Sequence, residues 1–275
     1  MNVRDVIQRI ECVAPLWGAS SWDKSGVQVA GRTSDVRRLA LALDPLPEVI
    51  RQALDWGAEL ILTHHPLSLS PRFLDHLDDY HEVAGLLLGR GAWLYAAHTS
   101  LDVQPAGPAG WLARDLDLRH LVTLDPVPAS VTVPADSSST LPGPGFGLAG
   151  DLPTPLPWAA FVQLLTRSIA GNVWRQVGTP PSTVSRVAYC TGSGGSLLDK
   201  AAASGAQVYV TGDVRYHQAL EAGVCLVDVG HFALEEEMTR RFASELAHDD
   251  HLAAVEVRFL AGTDPFQAVV TGTRG

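Results

Sequence analysis

Glu59-Leu60-Ile61-Leu62-Thr63-His64-His65-Pro66 is the stretch from which the architecture can be read. A run of apolar residues of buried-strand length ends in a polar threonine. Two imidazoles follow, and Pro66 then stops ladder pairing. Adjacent side chains on a regular strand point to opposite faces. His64 and His65 therefore share one pocket only if the chain turns there or if two ions lie side by side. Hydrogen-bonded structural histidines and metal ligands are the two readings open at this point.

Outward from this strand, the pattern alternates. Val3, Val6, Ile7 and Ile10 recur at near-helical spacing over residues 2 to 16, and Pro15 stops that helix. The polar turn Ser21 to Ser25 feeds a short strand at Val27 to Val29. Arg38 to Asp44 reads as a buried strand and Pro47 to Trp56 as a helix with proline in its first turn. A helix over 79 to 89 and a strand over 92 to 97 lead into His98-Thr99-Ser100-Leu101-Asp102. Strands alternating with helices predict βαβ units, hence an α/β protein with mostly parallel or mixed sheets.

The proline- and serine-rich stretch from 126 to 145 reads as a crossing between two lobes, so a domain change is expected there. The alternation then resumes with a helix at 157 to 169, a strand at 184 to 190, a Gly/Ser turn at 191 to 196 and a helix at 197 to 204. After that come a strand at 207 to 211, a helix to Ala222, a strand at 224 to 229 and a helix from His231 to about His248. Closing strands are expected at 255 to 260 and 268 to 270. The two lobes are thus residues 1 to 125, with 249 to 275 returning to them, and residues 126 to 248.

A chain of 275 residues suits about two domains, and 46% hydrophobic with 18% charged residues is a globular balance. The net charge of -10 opposes attraction to phosphate backbones, so nucleic acid is disfavoured as a partner. The first residues lack the apolar core of a secretory signal, and no stretch is long and apolar enough to span a membrane; a soluble, cytoplasmic protein is expected. Cys12, Cys190 and Cys225 lack paired spacing and read as small hydrophobes.

In the second half, His231-Phe232-Ala233-Leu234-Glu235 places a base and a carboxylate four residues apart on one helix face. Met238 and Phe242 continue that stripe, which turns it inward; a surface His–Glu hydrogen bond is the plainer alternative. Asp102 is either a turn or cap residue or a ligand, and His98 a ligand, a positioning group or a proton carrier. Asp213 reads as an N-cap with His217 one turn later. The Gly192 to Ser196 turn is a tight turn or an anion cradle. His64, His65, Asp102, His231 and Glu235 together form a mixed imidazole and carboxylate set suited to zinc, manganese or iron. A carboxylate bridging two such ions is a hydrolytic arrangement.

Six motifs in order carry a resemblance: Trp22 to Val29, Thr63 to Leu67, Ala97 to Asp102, Gly145 to Leu152, Thr211 to His217 and Asp228 to Glu235. In them the chain resembles the dinuclear-metal proteins called GTP cyclohydrolase I type 2 homologues, or the NGG-interacting factor three family. The resemblance implies a two-lobed α/β fold with the metal site between the lobes and the C-terminal strands returning to the first. It also implies a homohexameric ring enclosing a cavity. Two divalent ions per subunit (zinc, manganese or iron) would be held by His64, His65, Asp102, His231 and Glu235, with Glu235 as bridge. Leu148 stands where relatives carry a basic residue, Ser100 where they carry Asn, and Ala109-Gly110 where they carry a polar pair. The reading that follows is a metal-dependent hydrolase of a nucleotide-like, cyclic amide or phosphate small molecule, with His98 or Asp23 as proton carrier. The alternative is a non-catalytic metal-holding, metal-delivering or regulatory protein.

Overall fold

The structure is a computed structural model that describes residues 1–133, 142–171 and 173–269. The first part of the chain runs α1 (Val3–Val13), β1 (Gly26–Val29), β2 (Arg38–Ala42), α2 (Pro47–Trp56), β3 (Leu60–Thr63), α3 (Asp79–Arg90), β4 (Trp93–Ala96), α4 (Thr99–Asp102) and α5 (Trp111–Asp115). Next come β5 (Arg119–Pro126), β6 (Gly145–Pro157), α6 (Trp158–Ser168), β7 (Arg175–Val177) and β8 (Thr183–Ser193). The remainder is α7 (Leu198–Ala203), β9 (Val208–Gly212), α8 (Tyr216–Leu220), β10 (Cys225–Asp228), α9 (His231–Ala247) and β11 (Glu256–Phe259).

These elements form two sheets, in the orders β1-β4-β3-β2-β11 and β5-β6-β8-β9-β10-β7. In the first sheet β4, β3, β2 and β11 run parallel and only the β1 edge is antiparallel; in the second β8, β9 and β10 run parallel with antiparallel partners towards both edges, so both are mixed α/β sheets. β2, β3 and β4 end level, with Thr63 registered on Ala42 and on Ala96. As a result Asp44, His64 and His98 leave the sheet along one edge. β9 and β10 end level in the same way, Asp228 opposite Thr211.

Alternation along each strand divides the apolar side chains between layers. Leu39, Leu41, Leu60, Leu62 and Tyr95 face inward and join Val187, Tyr189, Val208, Val210 and Val227 of the second sheet in one shared core. Ala40, Ala42, Ile61 and Leu94 face outward beneath α2 and α3, and Ala188, Tyr209 and Leu226 face a third cluster with α7. α9 lies in the shared core through Leu234, Met238, Phe242, Ala243 and Leu246. It follows a loop whose Gly230 has φ 88°, a left-handed conformation that glycine adopts without strain.

Several expectations need correction. The proline-rich stretch from 126 to 145 does not cross between lobes: it joins β5 to β6, antiparallel neighbours in the second sheet. The change of sheet therefore falls between β4 and β5, ahead of the 125/126 boundary. Part of that connection, residues 134–141, lies outside the described residues. Residues 268 and 269 are not in a strand, and Val270 lies outside the described residues. β8 runs on through Gly192 to Ser193, so the 191 to 196 turn is shorter than its composition suggests. β5, β6 and β7 carry no clear sequence periodicity. In β6, Pro153 and Pro155 sit where the register with β8 breaks between Asp151 and Leu156, a place where proline's missing N–H costs no ladder bond. No described helix is long and apolar enough to cross a membrane.

Phe242 is almost fully buried where α9 meets both sheets. Phe242→Ala is expected to cost about 3–5 kcal/mol, read as a lowered denaturant midpoint in equilibrium unfolding.

Candidate metal centre between the sheets

The site gathers where the parallel strands of both sheets end, the usual place for ligands in open α/β sheets. His64 and His65 lie beyond the last residue of β3, where the chain bends, so the two-face rule for strands no longer applies. Thr63 Oγ1 donates to the His65 carbonyl at 2.7 Å and holds that bend. The two rings then converge, their centroids 5.1 Å apart. Glu235 reaches the same space from the second turn of α9 and is buried, at 4% exposure.

The two oxygens of Glu235 face different neighbours. Oε2 meets His65 Nε2 at 2.9 Å and His231 Nε2 at 2.6 Å. Oε1 faces His64 Nε2 at 3.6 Å, and Asp102 Oδ1 lies 3.8 Å from that same nitrogen. Among the described residues, three overlapping groups have donor atoms within 4.8 Å of one another: His64, Asp102 and Glu235; His65, His231 and Glu235; and His64, His65 and His98. His98 thus stands with the five residues expected as ligands.

Each imidazole is held from its far side, which leaves Nε2 aimed inward. His64 Nδ1 lies 2.8 Å from the Ala97 carbonyl oxygen and His65 Nδ1 2.6 Å from Asp44 Oδ1. His98 Nδ1 lies 2.8 Å from Asp23 Oδ1 and His231 Nδ1 2.8 Å from Asp213 Oδ2. Such outer partners fix the tautomer and ring orientation that metal-binding histidines need. Asp213 does this from a left-handed backbone, φ 55°, uncommon for a residue other than glycine.

The donor set fits a divalent cation. His64 Nε2 is buried without a hydrogen-bond partner. Its distances to Glu235 and Asp102 are too long for hydrogen bonds, whereas two donors on one four-coordinate ion at ordinary bond lengths stand roughly 3.4 Å apart. The charge balance agrees. Burial disfavours a charged His65, yet its hydrogen bonds to Asp44 and Glu235 outweigh that and push its pKa up to about 10. Against the same burial, Glu235 and Asp213 push His231 up to about 9. Burial, with Glu235 nearby, raises Asp102 in spite of His64. Against burial of its own, Glu235 is held well below the usual carboxylate range by His64, His231 and His65. Protons on imidazoles here supply the positive charge that a cation would otherwise bring.

Asp23 differs from its expected role as a free proton carrier. Its two oxygens accept from Lys24 N, Ser25 Oγ, Thr99 N and Thr99 Oγ1 as well as facing His98. Burial opposes its charge, but the hydrogen bonds from His98, Thr99 and Ser25 prevail and keep it ionised far below the usual range. This geometry orients His98 and leaves Asp23 no open oxygen. His217 stacks edge-on against Tyr216, centroids 5.4 Å apart, and belongs to none of the three groups.

Residue types alone did not disclose Asp44, Thr191 or Gly192. Thr191 Oγ1 lies 3.4 Å from Asp102 Oδ1. A Cβ on Gly192 would overlap Glu235 Oε1 and sit 2.8 Å from its carboxyl carbon, so only glycine lets β8 back onto this carboxylate.

With this geometry in hand, comparison with known proteins places the chain. The profile of Duf34/NIF3 (NGG1p interacting factor 3) matches residues 1–265. The chain belongs to the NIF3 family. It is 33% identical over 266 residues to the "GTP cyclohydrolase 1 type 2 homolog" of Halobacterium salinarum, covering 95% of this chain and 98% of that protein. To the protein of the same name from Streptomyces coelicolor it is 31% identical over 241 residues, covering 85% of this chain and 81% of the relative. In fold, this NIF3 chain matches a Bacillus cereus protein related to NIF3 with a TM-score of 0.85 at 24% identity, over 98% of this chain and 99% of that one.

Two substitutions test the supporting groups. Gly192→Ala is expected to displace the Glu235 carboxylate and strip most divalent metal from the purified protein, measured by elemental analysis, while circular dichroism stays native. Asp44→Asn is expected to weaken divalent-metal affinity about 10- to 100-fold in a competition titration.

Proposed function

We propose that this protein is a hydrolase of a small molecule in which His64 with Asp102 and His65 with His231, on either side of Glu235, would hold two divalent cations. One observation carries the reading: the two oxygens of a single buried carboxylate face separate donor groups, His64 with Asp102 on one side and His65 with His231 on the other. Zinc, manganese and iron suit these donors, since imidazole and carboxylate are their common ligands. Such cations supply Lewis acidity, acidifying water and polarising the electrophilic oxygen of a C–N or phosphate-type centre.

The chain's own groups supply the rest. Asp102 and Glu235 provide the negative charge that retains the cations; Asp44, Asp213 and the Ala97 carbonyl keep three imidazoles in register. His98, held by Asp23, carries a proton to or from the reacting centre through its free Nε2. The family resemblance supports a homohexamer with these sites facing an internal cavity, and the names of the curated relatives point towards nucleotide-like substrates.

The test is to measure metal content, then screen nucleotides, phosphoesters and cyclic amides with and without a chelator. Turnover lost with the chelator and restored by one of these metals is the expected result; full metal content with no turnover on any of them favours the non-catalytic holder. Glu235→Gln is expected to lose metal and activity together. His98→Gln is expected to keep the metal and lower the rate about 10²- to 10⁴-fold; loss of metal would instead make His98 a ligand.

A further inference from the structure

Trp22 has no part in the scheme above, yet it stands at the rim of this site. Its neighbour Asp23 is buried while Trp22 itself is 57% exposed. The turn that carries it is tied down at both ends: Asp23 N donates to the Ser20 carbonyl at 2.9 Å, and Ser20 N donates to Thr99 Oγ1 at 2.9 Å. The Asp23 carboxylate adds its bonds to Thr99 and His98. The backbone on which the indole stands is therefore fixed relative to His98, although most of the side chain meets water.

The indole meets the His98 ring almost at right angles, centroids 5.8 Å apart and planes at 79°. His98 in turn lies edge-on to His64 at 5.2 Å and to His65 at 5.5 Å. A perpendicular contact covers an edge or one face of the indole and leaves a flat aromatic surface one ring away from the donor cluster. Large aromatic side chains held rigid in water are suited to stacking, where each planar ring offers a π-face whatever its edge groups.

We propose that Trp22 is the stacking platform of the site and that the substrate carries a planar heteroaromatic ring. The ring lies on the indole, and the bond to be cleaved extends past His98 towards Glu235. This inference rests on the hydrolase reading for its reaction but not for its binding step. Stacking reads the plane and not the edge, so purine nucleotides of either kind should be held alike, and a sugar phosphate without a base should be held poorly.

Calorimetric binding of AMP, GMP and ribose 5-phosphate to the protein tests this, with metal content and solution mass measured on the same samples. Both nucleotides are expected to bind more tightly than the sugar phosphate. Trp22→Ala is expected to weaken them roughly 5- to 100-fold with ribose 5-phosphate unchanged, and Trp22→Phe to restore most of the loss. Metal content and melting temperature should not move. Equal affinity for nucleotide and sugar phosphate, or unchanged nucleotide binding in Trp22→Ala, would overturn the proposal. So would a change of oligomeric mass in that variant, which would mark the indole as covered by another copy of the chain. Low metal content with intact base-dependent binding would instead sink the hydrolase reading and leave the platform standing.

Discussion

A carboxylate buried among three imidazoles is the constraint around which this molecule is arranged. Glu235 sits in the shared core, where an uncompensated charge would cost several kcal/mol. Its surroundings are built to prevent that: His64, His65 and His231 approach its two oxygens, and glycine at 192 keeps β8 from crowding it. Removing one partner leaves the others facing an unbalanced charge, so the cluster behaves as a unit in which the parts are not separable contributions.

The fold satisfies this constraint by making strand ends coincide. Level endings of β2, β3 and β4 deliver Asp44, His64 and His98 from one sheet; level endings of β9 and β10 deliver Asp213 and the approach to His231 from the other. α9 is packed between the sheets, and its amphipathic stripe changes character along its length. Leu234, Met238, Phe242 and Leu246 anchor it, and His231 with Glu235 occupy the exit of the same stripe. Position along one helix thus converts apolar packing into placement of charge. A further buried carboxylate, Asp228, steadies the approach from β10 by accepting from Val214 N and Gly230 N, the backbone on either side of the crossing between Asp213 and His231.

Much of this was legible in the residues. The apolar run before His64, the i, i+4 spacing of His231 and Glu235, and Asp102 after a strand all point to the same space, because periodicity and element ends are local properties. The supporting shell was harder to see. Asp44 precedes Pro45 and looks like any turn residue. Asp213 looks like an N-cap, and only the fold brings it against His231 Nδ1. The proline-rich connection misled for a related reason: composition reports that a segment is exposed, and it does not report which strands the segment joins. β6 escaped notice because glycine and proline interrupt the alternation that would have announced it, and β5 because adjacent Leu121 and Val122 break its own, while long-range pairing supplies their order.

The C-terminal strand adds a constraint of timing. β11 lies beside β2, with Glu256 N bonded to the Arg37 carbonyl and Leu260 N to the Leu41 carbonyl. During synthesis the open flank of β2 waits for more than two hundred further residues to emerge before β11 covers it, and an uncovered strand flank invites pairing with other chains. α9, immediately upstream, leaves the ribosome just before the segment that closes that flank. Closure of the early sheet and arrival of its buried acid are in this way bound to one moment, after the other strands of both sheets have been made.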